Sequence, residues 1–155
     1  MTYGELKELA AENDIEVKEL PLVSSDGRIR GRKIAIRHDI ETNAEKACVL
    51  AEELGHYYTS IGNILDTSTQ VASKQELRAR RFAHNLLIDY DQLYKAKLSG
   101  CTSSYEIAEY LGVAESFLNE ALENLKMIYG LSFCAGKYRI DLLDTFDITL
   151  LDSTE

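Results

Sequence analysis

The chain has 155 residues, of which 45% are hydrophobic and 28% are charged, a balance typical of one globular domain or of a domain with a small appendage. No apolar run is long enough to cross a membrane and no signal peptide is recognisable at the N-terminus, so we expect a cytoplasmic protein. A formal net charge of −9 argues against a general nucleic-acid binder, because phosphate contacts dominate such binding. The three widely spaced cysteines predict reduced, mostly buried thiols rather than a disulfide framework.

The N-terminal part predicts one short helix followed by a small sheet. Residues 2–12 have helical periodicity, and strand-like stretches follow near residues 15–20, 28–30 and 33–37, with an Asp26-Gly27 turn before the second. We expect these strands to form an antiparallel sheet with a basic outer face. The simplest interpretation of that basic face is a solvated surface that resists aggregation; its cations are Arg28, Arg30, Arg32, Lys33 and Arg37.

A capping box at Thr42 and Glu45 predicts the start of a central helix near residues 43–58. This helix contains the pattern E-E-x-x-H, whose spacing is that of the zinc-peptidase motif H-E-x-x-H with glutamate in place of the first histidine. Glu52 and His56 are four residues apart, so both side chains leave the same face of the helix. A glutamate and a histidine at this spacing also occur on ordinary solvated helices, so the pattern alone is weak.

The second half of the chain is predicted to be mainly helical. A second capping box, Ser73 to Glu76, predicts a helix that begins there and ends at Leu87. Three more helices are expected over residues 89–98, 107–111 and 114–129, and a capping box from Ser103 to Glu106 precedes the second of them. A hairpin and an acidic tail that frays after Asp144 follow. We interpret the two remaining histidines, His38 and His84, as structural.

Three segments carry a resemblance to a known family. Residues 47–58 resemble the metal-site helix of ImmA/IrrE-type metallopeptidases, above all their phage-borne members, which precede a locus encoding a helix-turn-helix repressor. Residues 75–83 resemble the family's E-x-x-A-x-x-F-A segment, and residues 104–130 its helical extension. The resemblance implies an α+β, zincin-like fold, with a central metal-site helix on a small antiparallel sheet. We expect this domain over residues 1–88 and a helical C-terminal region with a terminal hairpin and acidic tail over residues 89–155.

The resemblance also implies roles for four residues. His56 and Glu76 correspond to metal ligands, Glu53 to the catalytic glutamate, and Glu52 replaces the first histidine ligand. Two carboxylates and one imidazole can bind zinc, although so hard a donor set also admits Mn²⁺ or Fe²⁺. Glu76 has an alternative role as a capping residue and Glu52 as a solvated helix carboxylate. Tyr57 or Tyr58 could donate to an oxyanion, although aromatic residues after such a helix more often belong to the core.

The predicted function is that of a metal-dependent endopeptidase from a phage or mobile element, which cleaves a helix-turn-helix repressor and so relieves repression. One alternative is a metal-free module that antagonises a repressor by contact alone. Another is DNA binding through residues 103–130 as a helix-turn-helix. The second of those helices is mainly acidic, which makes it a poor surface for phosphates; its charged residues include Glu115, Glu120, Glu123 and Lys126.

Overall fold

The computed structural model describes residues 1–60 and 69–151. The chain divides into two compact units, Met1–Leu87 and Ile88–Glu155, each of which combines α-helices with a three-stranded sheet. The α+β class predicted from the sequence is therefore confirmed. Among the described residues, none of the helices is both long and apolar enough for a membrane crossing.

The first unit begins with a helix, continues with three strands and ends with two longer helices. In chain order these are α1 (Tyr3–Glu12), β1 (Glu16–Leu20), β2 (Gly27–Arg30), β3 (Lys33–Arg37), α2 (Asn43–Thr59) and α3 (Thr69–Leu87). The capping box that opens α2 forms as predicted, since the Glu45 amide donates to Thr42 Oγ1 at 3.1 Å and the Thr42 amide donates to Glu45 Oε2 at 3.3 Å.

The sheet of this unit is mixed, whereas the sequence predicted an antiparallel one. Its strand order is β1-β3-β2; β2 pairs with β3 in the antiparallel direction, but β1 pairs with β3 in the parallel direction. The reason is the position of β3. After β1, the chain forms β2 in the opposite direction and two strand positions away. It then reverses at Gly31 (φ +57°), and β3 lies between β1 and β2.

The core of the first unit lies between this sheet and helices α1 and α2. Ile34 and Ile36 of β3 point into it, and the same face of β1 carries Glu19, which accepts from the Tyr3 hydroxyl at 3.1 Å and pairs with Lys46 at 3.0 Å. These contacts hold α1 and α2 against the sheet. The fully buried large side chains of this core are Leu6, Ile34, Ile36, Leu50 and Leu54.

Helix α3 begins at Thr69, one turn before the predicted start, so the prediction of a capping box at Ser73 was wrong. Ser73 and Glu76 lie inside the helix, where the backbone amides already have partners in the preceding turn. Glu76 is therefore available for another role. The sequence also predicts that the region of the central helix ends at Gly62-Asn63, and these two residues lie outside the described part of the chain.

The second unit contains three helices and an antiparallel sheet of order β4-β5-β6. Its elements are α4 (Tyr90–Leu98), α5 (Ser104–Leu111), α6 (Glu115–Tyr129), β4 (Ser132–Ala135), β5 (Tyr138–Asp141) and β6 (Asp147–Leu150). The predicted hairpin corresponds to β4 and β5. The prediction that the tail frays after Asp144 was wrong for residues 147–150, because Ile148 is fully buried opposite Ile140 and its carbonyl accepts from Lys97 Nζ at 2.9 Å. Residues 152–155 lie outside the described part of the chain.

The three cysteines are free thiols, as expected. Only Cys48, on the inner side of α2, is buried, whereas Cys101 is half-buried and Cys134 is exposed on β4. The expectation of mostly buried thiols was therefore correct only for Cys48.

Candidate active site

The candidate site lies where α2 and α3 pack together. On the inner side of α2, a stripe of small and aliphatic residues is fully buried, namely Ala47, Leu50, Ala51, Leu54 and Gly55. Burial of this stripe leaves Glu52, Glu53 and His56 half-buried along its border. Because the stripe fixes the rotation of α2, it also fixes the direction in which these three side chains leave the helix.

The two helices approach most closely at Gly55. A Cβ atom built on Gly55 would lie 2.3 Å from the carbonyl oxygen of Ala79, so α3 rests directly on the glycine backbone. Ala79 is fully buried and lies three residues after Glu76, on the same side of α3. The close approach therefore brings Glu76 next to His56, the residue that follows Gly55.

His56 and Glu76 are in direct contact. His56 Nε2 lies 3.3 Å from Glu76 Oε2, and the other carboxylate oxygen of Glu76 accepts from Arg80 Nε at 3.1 Å. The side chains of His56 and Glu76 are 30% and 44% exposed, so this pair is open to a small ligand from solvent. Arg80 holds one oxygen of Glu76 and leaves the other directed at the imidazole.

Glu53 lies beside this pair in a more enclosed position, against strand β2. A Cβ atom on Gly27 would lie 2.6 Å from Glu53 Oε1, 2.8 Å from Glu53 Cγ and 2.8 Å from Val49 Cγ1, so only glycine leaves room for this carboxylate. The pKa of Glu53 is raised to about 7, mainly by burial and to a lesser extent by the negative charges of Glu52 and Glu76. A carboxyl group with such a pKa can both accept and donate a proton near neutral pH.

The spacing of the donors fits a metal ion in part. Two ligands of one tetrahedral zinc ion lie about 3.3 to 3.5 Å apart, given zinc–ligand distances of about 2.0 to 2.2 Å, and the His56–Glu76 separation of 3.3 Å matches this spacing. Within residues 1–60 and 69–151, however, no three His, Cys, Asp or Glu side chains form a group that could hold a metal ion. The structure thus brings His56 and Glu76 together. The ligand roles of these two residues and of Glu52 stay predictions.

The other candidate residues have mainly packing contacts. The ring of Tyr58 stacks on Phe82 of α3 with centroids 5.3 Å apart, and Tyr57 meets Tyr58 edge-on at 5.0 Å. These contacts agree with the core interpretation of the tyrosines. His84 is buried on α3, and His38 is exposed after β3, where its amide donates to the Leu20 carbonyl.

Two residues of the site were not identified from the sequence. Arg80 stands four residues after Glu76, a spacing at which a helical Glu-Arg pair is expected, and this signal was available. Gly27 was assigned to a turn. Its contact with Glu53 depends on the pairing of β2 with β3 and on the packing of α2 against the sheet, which no local pattern reveals.

Comparison with known families identifies the domain in which the candidate site lies. Residues 10–123 match the profile of the family Peptidase_M78, described as the IrrE N-terminal-like domain, and the matched region includes α2, α3 and all four candidate residues. No curated protein matches the sequence. The matched region covers well over half of the chain and contains the first two segments that carried the resemblance and most of the third, so the chain belongs to the ImmA/IrrE family of zincin-like metallopeptidase domains.

Proposed function

We propose that this protein is a metal-dependent endopeptidase that cleaves a helix-turn-helix repressor of a phage or mobile element. The observation that carries the proposal is the position of Glu53. Its carboxyl group is half-buried against Gly27, has a pKa raised to about 7 and lies beside an imidazole–carboxylate pair at metal-ligand spacing. A general base next to a cation site is the arrangement that metal-dependent hydrolysis of a peptide bond uses.

His56 and Glu76 would hold the cation, with Glu52 as the third protein ligand on the same face of α2. When bound, a zinc, manganese or iron ion supplies Lewis acidity, which polarises the scissile carbonyl and lowers the pKa of a water molecule. Arg80 fixes one oxygen of Glu76, so the other oxygen stays directed toward His56. In this proposal, three side chains from two helices would supply the protein ligands of one cation.

Glu53 performs the proton transfers. Its ionised form accepts a proton from the attacking water, and its protonated form returns that proton to the leaving amine. Gly27 keeps the carboxyl group in place from the side of the sheet, and the surrounding burial keeps its pKa near neutrality. One residue can therefore act first as base and then as acid at physiological pH.

The choice of a repressor as substrate is supported by the resemblance of residues 47–58 to the phage-borne members of the family. Since those members precede a repressor locus, the test uses the repressor encoded beside the gene for this chain. The two proteins are expressed together, repressor cleavage is followed on a gel, and relief of repression is followed with a reporter. We expect the wild-type protein to produce both effects.

The deciding variant is Glu53→Gln, which removes the base but keeps the size of the side chain. We expect cleavage to fall by roughly two to four orders of magnitude, while folding and repressor binding persist. Glu41→Gln makes the same chemical change at an exposed position before α2 and should cleave like the wild type. Loss of cleavage in both variants, or in neither, would contradict the proposed role of Glu53.

A contact-only antirepressor is the second candidate function. It is favoured by the absence of a three-donor group among the described residues and by the glutamate at position 52. The two candidates predict different results for the same variant. If Glu53→Gln relieves repression as well as the wild-type protein does, then proteolysis is not the mechanism and binding alone accounts for the effect.

A further inference from the structure

The outer face of the first sheet, opposite α1 and α2, carries a cluster of cations. Strand pairing places Arg28 opposite Ala35 and Arg30 opposite Lys33, while Lys18 of β1 pairs with Ala35 from the other side. All of these alternate with the inward residues Ile29, Ile34 and Ile36, so they share the outer face. Of the cations that the sequence predicted there, Arg32 pairs with Asp14, and Arg37 pairs with Asp26 and Asp39. From here on, the basic face means the part of this surface formed by Lys18, Arg28, Arg30 and Lys33.

The charge of the basic face is poorly compensated. Its one carboxylate, Glu16, pairs with Lys18 at 2.6 Å, and within residues 1–60 and 69–151 no acidic side chain lies at ion-pair distance from Arg28, Arg30 or Lys33. Arg30 and Lys33 are moreover directly opposite each other across β2 and β3, while Glu16 faces Lys33 from β1 and offsets part of its charge. Like charges at that position destabilise a sheet, so a partner that neutralises them would gain free energy.

Between these cations the surface forms a depression of about 320 Å³. Its polar lining consists of four cations and one carboxylate, a formal charge of +3, and its apolar lining includes Leu20, Leu22 and Ala35. Leu20 is 42% exposed, although it lies on a strand. A ligand for this depression must therefore combine negative charge with apolar surface.

We propose that the basic face is a docking site for an acidic peptide segment of a partner protein, one in which glutamate or aspartate is mixed with large aliphatic residues. The carboxylates would pair with Arg28, Arg30 and Lys33, and an aliphatic side chain would cover Leu20 and Leu22. A nucleic acid fits less well. The protein as a whole carries a net charge of −9, and none of the nine lining residues is aromatic, so bases would have no ring on which to stack.

This site is separate from the candidate active site. Glu53 contacts Gly27 from the inner side of the sheet, whereas Arg28 and Arg30 project from the outer side. Docking does not need catalysis, and it is measured on the full chain with Glu53→Gln. Failure of docking and failure of the proposed peptidase function can therefore be distinguished.

The probe is a short fluorescent peptide of glutamate with interspersed leucine, and fluorescence anisotropy measures its binding. We expect saturable binding that weakens as salt is raised and that weakens about tenfold when Arg30 and Lys33 are both replaced by Glu. The matched control replaces Lys7 and Lys126 by Glu, which gives the same change in net charge at positions outside the depression. This control should weaken binding far less than the double replacement on the basic face.

Several results would overturn the proposal. The proposal is wrong if the glutamate–leucine peptide does not bind, or if a lysine–leucine peptide binds equally well. It is also wrong if the Lys7/Lys126 control loses as much affinity for the peptide as the Arg30/Lys33 variant does. Tighter binding of single-stranded oligothymidylate than of the acidic peptide would also overturn it, since the face would then be a nucleic-acid site. If the protein with Glu at positions 30 and 33 does not fold, as judged by circular dichroism, the double variant Arg30→Gln with Lys33→Gln is used instead. This variant should still weaken peptide binding several-fold.

Discussion

Gly55 of α2 and the carbonyl of Ala79 in α3 leave no room for a side chain between them, since a Cβ atom on Gly55 would lie 2.3 Å from that oxygen. This backbone contact determines the separation of the two helices next to the candidate site. His56 follows Gly55 directly, and Glu76 lies one turn before Ala79, so the 3.3 Å distance between their side chains depends on it. A glycine within a helix has an intrinsic cost, and here the cost is offset by the close packing it permits.

Gly55→Ala should therefore force the helices apart. We expect a loss of about 1 to 3 kcal/mol in the free energy of unfolding, which is typical of overpacking, together with weaker metal binding because His56 and Glu76 separate. Gly4→Ala is the matched control. A Cβ atom there meets only Thr2 Oγ1 at 3.9 Å, and the change should stabilise α1 by about 0.5 to 1 kcal/mol. Urea unfolding and metal titration of both variants test this; a tolerated Gly55→Ala would contradict the packing argument.

Gly27→Ala should displace the Glu53 carboxyl group, because the new Cβ would lie 2.6 Å from Glu53 Oε1 and 2.8 Å from Glu53 Cγ. We expect proteolytic activity to fall while metal content is retained, since the ligands lie on α2 and α3. A double-mutant cycle with Glu53→Ala isolates the effect. Gly27→Ala should destabilise the protein less in the Glu53→Ala background than in the wild type. The destabilisation that persists in that background is due to the contact of the new Cβ with Val49 Cγ1. Equal destabilisation in both backgrounds would show that Glu53 does not occupy this space.

The sequence predicted those features of the fold and site that depend on neighbouring residues. The capping boxes at Thr42 and Ser103 formed because each needs only a hydroxyl and a carboxylate three residues apart. The same pattern at Ser73 gave a wrong helix start, because a serine three residues before a glutamate also occurs in the second turn of a helix. Alternation at Ile148 and Leu150 is short and follows an acidic stretch, so β6 was missed; its stability comes from burial of Ile148 opposite Ile140.

Contacts between residues far apart in the sequence could not be predicted from local sequence patterns. The parallel pairing of β1 with β3 depends on where the chain returns, and the contact of Gly27 with Glu53 depends on that sheet. The juxtaposition of His56 and Glu76 was inferred from family resemblance and not from spacing, because the sequence does not show how two residues on different helices lie in space. The chemistry of each side chain follows from its residue type, whereas the geometry of the site follows from the close contact at Gly55.

Arg80→Gln tests whether the arginine positions Glu76. Arg80 Nε holds Glu76 Oε1 at 3.1 Å, and loss of such a supporting contact typically lowers metal affinity by about 10- to 100-fold. Arg78→Gln removes a neighbouring, exposed arginine of α3 and is the control. Competition with a chromogenic chelator measures zinc affinity directly and does not require a substrate. Equal affinities of the two variants would mean that the Glu76–Arg80 pair is only a surface ion pair.

The raised pKa of Glu53 makes the stability of the metal-free protein depend on pH. The folded-state pKa is about 7, against an ordinary value of 4.5, so the folded protein binds this proton more tightly than the unfolded chain does. The Glu53 contribution to the free energy of unfolding is therefore constant below about pH 4.5, decreases as the pH rises toward 7, and is constant again above the folded pKa. Glu53→Gln cannot ionise and lacks this decrease.

The stability difference between Glu53→Gln and the wild type should thus grow across the window from pH 4.5 to 7. After allowance for the remaining solvent exposure of the side chain, the growth should be about 1 to 2 kcal/mol in favour of the variant. Urea unfolding of chelator-treated protein at a series of pH values measures it. Addition of zinc should reduce the pH dependence, because a bound cation favours the ionised carboxylate. A difference that stays constant across the window would show that the environment of Glu53 does not raise its pKa, and the proposed base would then lack the proton affinity assigned to it.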